Sequence, residues 1–239
     1  MRFTLNPNDP VLNPSLWLGS FELREPVTTL TDFLVAITSA CILIYFIKWK
    51  GNKTKNFNLY KIYFLCYTIG MTSAAWLGHG FQAYISPRWK MIGWIMSSIA
   101  LVFFLSASIN HLENRLNTKI IKGFKAFLVL KLIVFISLVI IPSTSSFKLV
   151  QIHSTIDIVG LALPLHFLNY KWNQSKGSLR IMIAIFYALI PGMIFSNQIS
   201  VNHWFNYHDI SHVMMAIFIF LMFRGAFELS TKQNSQTNN

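Results

Sequence analysis

Long apolar runs alternate with short polar stretches along most of the chain. A helix crosses a bilayer in about 20 mostly apolar residues. Seven runs reach that length: Val27–Ile47, Leu59–Tyr84, Met91–Ile109, Phe124–Ile141, Leu149–Tyr170, Leu179–Ser196 and His208–Phe227. The pattern predicts an all-α fold, a seven-transmembrane helix bundle, with connections too short to hold a soluble domain. Residues 1–24 read as an extracytoplasmic N-terminal arm and residues 25–228 as the seven-helix membrane domain. Residues 229–239, rich in Gln, Asn and Ser, read as a disordered cytoplasmic tail. No basic start followed by an apolar core opens the chain, so no cleavable signal peptide is expected.

Composition agrees with that reading. Hydrophobic residues make up 54% of the chain and charged ones 12%, against about 25% charged in soluble domains. The net charge of +12 would suit a nucleic-acid partner, but its placement excludes one. The lysines and arginines sit between apolar runs, where they set topology. Lys48, Lys50, Lys53, Lys55, Lys61, Arg115, Lys119, Lys122, Lys125, Lys171, Lys176, Arg180, Arg224 and Lys232 fall on one side. Only Arg2, Arg24, Arg88, Lys90 and Lys148 fall on the other. The bias places the N-terminus outside and the C-terminus in the cytoplasm. A cytoplasmic membrane is the expected location. Cys41 and Cys66 both lie inside apolar runs, which is not a disulfide framework.

With this orientation the polar residues inside the spans share one depth. His79 lies near the outer end of span two, and His208 and His212 near the outer end of span seven. Glu25 and Asp32 lie at the outer start of span one, and His153 and Asp157 in the outer half of span five. Ionisable residues within spans point to function by default. His208 and His212 are four apart, so both imidazoles share one helix face. That spacing suits a pair of zinc ligands, with His79 as the third and a fourth position left to water. Asp209 suits either a second-shell partner of a ligand or a helix cap. Asp157 is a candidate general base or a histidine partner, because a carboxylate at that depth needs a partner or a cavity. Asp157 is therefore a candidate catalytic residue. Glu25–Pro26 reads equally well as a plain helix start. His111 is expected to be solvated near the cytoplasmic side, and His166 to be hydrogen-bonded in the inner half of span five.

The assembled pattern resembles the CREST superfamily, which includes the alkaline ceramidases. Its points of likeness are His79 in "AAWLGHGF", the His208/His212 pair opening span seven, and "EPVTTLTDF" (Glu25–Phe33). The last is similar to the ceramidase first-span motif E-F-W-N-T-L-S-N. The resemblance implies a divergent, zinc-dependent amidohydrolase acting on a ceramide-like lipid, with His79, His208 and His212 on the metal. Ala75 and Lys90 stand where that family has a Ser and an Asp, so Asp157 or Asp209 would supply the acid. Of the family's calcium motif Glu25 remains, with Glu22 and Asp9 as extras, which implies calcium near Glu25. The alternative expectation is a non-catalytic seven-span protein with a structural or sensory metal site. Haem held by His153 and His166 lacks a matching pair on a second helix. A retinal photoreceptor lacks a lysine in span seven.

Overall fold

A computed structural model describes residues 2–5 and 14–231. Most of the expected tail (232–239) and Asp9 lie outside the described residues. The rest is dominated by helix: α1 (Pro26–Lys48), α2 (Phe57–Ser73), α3 (Lys90–Asn110), α4 (Thr118–Ile140), α5 (Phe147–Thr155), α6 (Leu163–Asn173), α7 (Lys176–Ser196) and α8 (Tyr207–Ser230). A π-helical segment, Ala74–Gly80, extends α2, and another, Ile156–Ala162, joins α5 to α6. Such wide turns inside α-helices are frequent at functional sites.

Six of these helical runs are long and apolar enough to cross a membrane: Pro26–Lys48, Pro87–Asn110, Thr118–Ile140, Phe147–Asn173, Lys176–Ser196 and Tyr207–Ser230. The run through α2 and its π segment is not among them. Its composition explains why. Tyr60, Tyr63 and Tyr67 lower its hydropathy, yet all three are buried against neighbouring helices. Its tyrosine face is interior, where a phenol meets protein rather than lipid, while Leu65 and Ile69 are exposed. The lipid-facing type is α4, with Ile120, Leu130, Ile133, Val134 and Ile140 all exposed.

Neighbour relations set the site. Helix α1 packs between α2 and α8, α2 packs on α3, and α7 packs on α6 and α8. The first, second and last long helices therefore meet, although they lie at opposite ends of the chain. Two glycine pairs permit the closest approaches. A Cβ on Gly93 would lie 3.0 Å from the Gly70 carbonyl oxygen, and one on Gly225 would lie 2.7 Å from that of Gly177. Small residues at such crossings let backbones touch.

The N-terminal arm differs from the expected polar strand of coil. It contains a three-stranded antiparallel sheet of β1 (Arg2–Leu5), β2 (Pro14–Leu18) and β3 (Phe21–Arg24). Trp17 pairs with both Arg2 and Glu22 in register. Strands of four or five residues are too short for alternation to stand out in sequence. The two-residue connection at Gly19 (φ +67°) marks the β2–β3 hairpin.

Candidate metal centre

The site begins with two helix starts. Pro26 opens α1 behind Glu25, whose backbone is left-handed (φ 43°, ψ 55°). Helix α8 opens with a capping box between Asn206 and Asp209. Asp209 Oδ2 accepts from the Asn206 amide at 2.7 Å, and Oδ1 accepts from the Thr28 hydroxyl at 2.7 Å. Asp209 thus caps α8 and bolts it to α1, which sets the register of His208 and His212 against Asp32.

The three expected histidines come together. Ring centroids lie 6.0 Å apart for His79–His208, 6.2 Å for His79–His212 and 6.4 Å for His208–His212. Among the described residues, three or more His, Cys, Asp or Glu donors do not stand ready-made as an ion-holding group. Three imidazoles on a tetrahedral zinc, with Zn–N of about 2.0–2.1 Å, would place their centroids roughly 5–5.5 Å apart. The triangle is thus wider than a closed shell by less than the reach of a side-chain rotation.

Hydrogen bonds assign the tautomers. The Nδ1–H of His79 donates to Glu25 Oε2, since a carboxylate can only accept. Thr31 Oγ1 donates its single hydrogen to the Thr28 carbonyl at 3.1 Å, so it accepts from His212 Nδ1–H at 3.3 Å. In their neutral forms both rings carry their lone pair on Nε2. Those two nitrogens face the same group: Asp32 Oδ2 lies 3.6 Å from His79 Nε2, and Asp32 Oδ1 lies 3.3 Å from His212 Nε2. Asp32 is 1% exposed, and neither of its oxygens accepts a hydrogen bond. With both rings neutral and Asp32 ionised, two lone pairs and a carboxylate converge without a donor between them.

The surroundings support the rings. Phe195 meets His208 edge-on at 5.0 Å and Tyr207 packs on it at 4.3 Å. The two described carboxylates near the expected calcium position are engaged, Glu25 with His79 and Glu22 with Ser15 at 2.7 Å and Arg24 at 3.4 Å. Ala75 is fully buried. Lys90, at the head of α3, reaches the same corner: its Cγ is 3.9 Å from where a Gly78 Cβ would stand.

Asp157 sits in a different cluster. It pairs with Lys131 of α4 at 2.5 Å and with His153 at 3.4 Å, while Lys131 Nζ reaches His153 Nε2 at 2.9 Å. His166 is bonded to Ser108 and Ser178, both at 3.0 Å. His111 is not solvated as expected: it meets Tyr60 Oη at 3.0 Å and Asn56 Nδ2 at 3.3 Å. Asp32 and Thr31 were left without a role by sequence reasoning. The seven-residue offset of Asp32 from Glu25, which puts both on one helix face, was the available signal.

Fold and site define a multi-pass, largely helical membrane protein with a buried cluster of histidines and carboxylates where its first, second and last long helices meet. The chain belongs to a family of unknown function, DUF6962, whose model matches residues 27–231. No curated protein and no solved structure matches it.

Proposed function

We propose that this protein is a zinc-dependent integral-membrane hydrolase that cleaves an amide or ester bond of a lipid, with His79, His208 and His212 as the metal's protein ligands. The reading takes α2 with its π segment as a seventh span. It places the N-terminus outside and the C-terminus in the cytoplasm, following the lysine bias. The observation that carries it is the convergence of the histidines on one acid: Nε2 of His79 and Nε2 of His212 face a buried Asp32 carboxyl that accepts no hydrogen bond, and with both rings neutral the pocket holds acceptors alone. Buried acceptors without donors are costly, and a cation satisfies all of them at once.

Zinc bound there would polarise an acyl carbonyl and lower the pKa of a water toward about 7. The chain's own residues supply the remainder. Glu25 and Thr31 hold the imidazoles with Nε2 forward, as partners behind metal ligands do. Asp32 takes the role of the acid, because Oδ2 is free to receive a proton. That role moves from Asp157, which is paired with Lys131, and from Asp209, whose oxygens are occupied by Thr28 and Asn206. A lipid substrate suits a site walled by helices that also face the bilayer.

One observation favours a second reading. Asp32 Oδ1 is close enough to His212 Nε2, at 3.3 Å, to join the coordination shell. A fourth protein ligand closes a zinc site to water, and the metal is then structural or sensory. Metal analysis of the purified protein decides the shared half. Stoichiometric zinc retained by the His79→Ala, His208→Ala, His212→Ala triple variant overturns both readings. With zinc present, X-ray absorption and a lipid amide and ester screen separate them. Turnover with an exchangeable water ligand supports the hydrolase; a closed shell with no turnover supports the second reading.

A further inference from the structure

The N-terminal sheet and the metal centre share one residue. Glu25 ends the sheet's last connection and begins α1. Its amide donates to the Pro14 carbonyl of β2 at 3.1 Å, while its carboxylate receives His79 Nδ1–H. Its backbone is left-handed, which is uncommon and strained for a residue other than Gly, Asn or Asp. Such a conformation persists where the surroundings hold it.

Those surroundings are the sheet's grip on the chain just after His79. Phe21 stacks on Tyr84 with ring centroids 5.5 Å apart, and meets Phe81 edge-on at 6.0 Å. The Glu22 amide donates to Tyr84 Oη at 2.5 Å. Leu23 lies so close to Gly80 that a Cβ there would come within 3.1 Å of its Cδ1. The sheet therefore clamps the end of the π segment from one side while Glu25 holds the His79 ring from the other.

We infer that Glu25 is a positioning residue for the metal centre and that the N-terminal sheet regulates metal affinity through it. The inference rests on the metal reading above. With the sheet seated, Glu25 keeps the proton on His79 Nδ1 and turns Nε2 toward Asp32 and the ligand position. When the sheet lifts, the left-handed turn relaxes, the carboxylate leaves the ring, and His79 is free to rotate or exchange tautomers. Partners that orient a ligating histidine are typically worth about 10–100-fold in metal affinity.

The full-length protein in nanodiscs, titrated with zinc against a chelator, tests this. Glu25→Ala is expected to weaken zinc binding about 10–100-fold. Glu25→Gln, which keeps the shape and one acceptor, is expected to weaken it less and guards against a folding failure. Tyr84→Ala and Phe21→Ala, which leave Glu25 in place, are expected to weaken binding by a smaller factor. Nitrogen NMR of the His79 ring without metal supplies an independent readout. The wild type should show the Nδ1–H tautomer and Glu25→Ala a mixture, a change that loss of packing alone would not produce. Unchanged zinc affinity in folded Glu25→Gln and Glu25→Ala, with the His79 tautomer intact, overturns the inference while leaving a zinc-binding wild type standing. If the wild type takes up no zinc, the metal reading fails and the tautomer alone judges Glu25.

Discussion

Two clusters in this protein bury the same ingredients, a histidine and an aspartate among apolar helices, and they end in opposite states. Around Asp157 a lysine is present. Lys131 lies 2.5 Å from Asp157 and 2.9 Å from His153 and neutralises the carboxylate, so the charge is balanced from within. Around Asp32 the rings of His79 and His212, when neutral, spend their hydrogens on Glu25 and Thr31 and offer only lone pairs. Asp32 is left facing acceptors. Both cost desolvation, but no lysine or arginine among the described residues pairs with Asp32, and on the proposed reading a cation from outside takes that place.

The largest test of that contrast removes the internal cation. Lys131→Met should leave Asp157 buried and unpaired and destabilise the protein by about 3–5 kcal/mol, while the Lys131→Met, Asp157→Asn double variant should recover most of that loss. Unfolding curves in detergent measure both, and equal behaviour of the two variants would erase the distinction.

The corresponding change in the other cluster should act in the reverse sense. Asp32→Asn removes a carboxylate that lacks a donor, so the metal-free protein should gain stability. Its zinc affinity should nonetheless fall about 10–100-fold, as for removal of a carboxylate acting on metal ligands. A thermal-shift series with and without zinc reads both quantities from one sample.

Smaller still is the bolt between α1 and α8. Thr28→Val strips the hydroxyl from Asp209 Oδ1, and a hydrogen bond to a charged group is worth about 1.5–3 kcal/mol. The loss should appear in stability with only a secondary effect on zinc binding, because Asp209 keeps its bond to the Asn206 amide.

The mildest effect lies away from both clusters. Burial, then the charge of Lys55, lower His111 from 6.5 to about 4. A histidine held neutral in the folded state takes up fewer protons there than in the unfolded chain. Its contribution is therefore fully present above about pH 6.5 and fades as pH falls toward about 4. His111→Gln should flatten that part of the stability profile; an unchanged profile would mean that the ring is hydrated after all.

Much of this was legible in the chain. His208 and His212 announce themselves by a four-residue spacing at the head of an apolar run, and His79 by lying at the matching depth of another. Asp209 read equally as a helix cap or as a partner that orients an imidazole, since a helix-start carboxylate looks the same in both roles; the structure shows it capping α8 and bonded to Thr28. Asp157 promised chemistry because its partner, Lys131, is 26 residues away on a different helix. The N-terminal sheet was hidden because strands this short carry too little alternation. Asp32, the residue on which the metal reading turns, stood in plain view but without a partner to give it meaning.

Local pattern determined the helices, their apolar surfaces and the shared depth of the polar residues, because those depend on composition and on periods of a few residues. Only the packing of α1 between α2 and α8 decided which acid would face which imidazole, and only the hydrogen-bond network decided which ring nitrogens kept their protons. Those outcomes depend on contacts between residues up to about 180 positions apart, such as Thr28 with Asp209, and no stretch of sequence read by itself contains them.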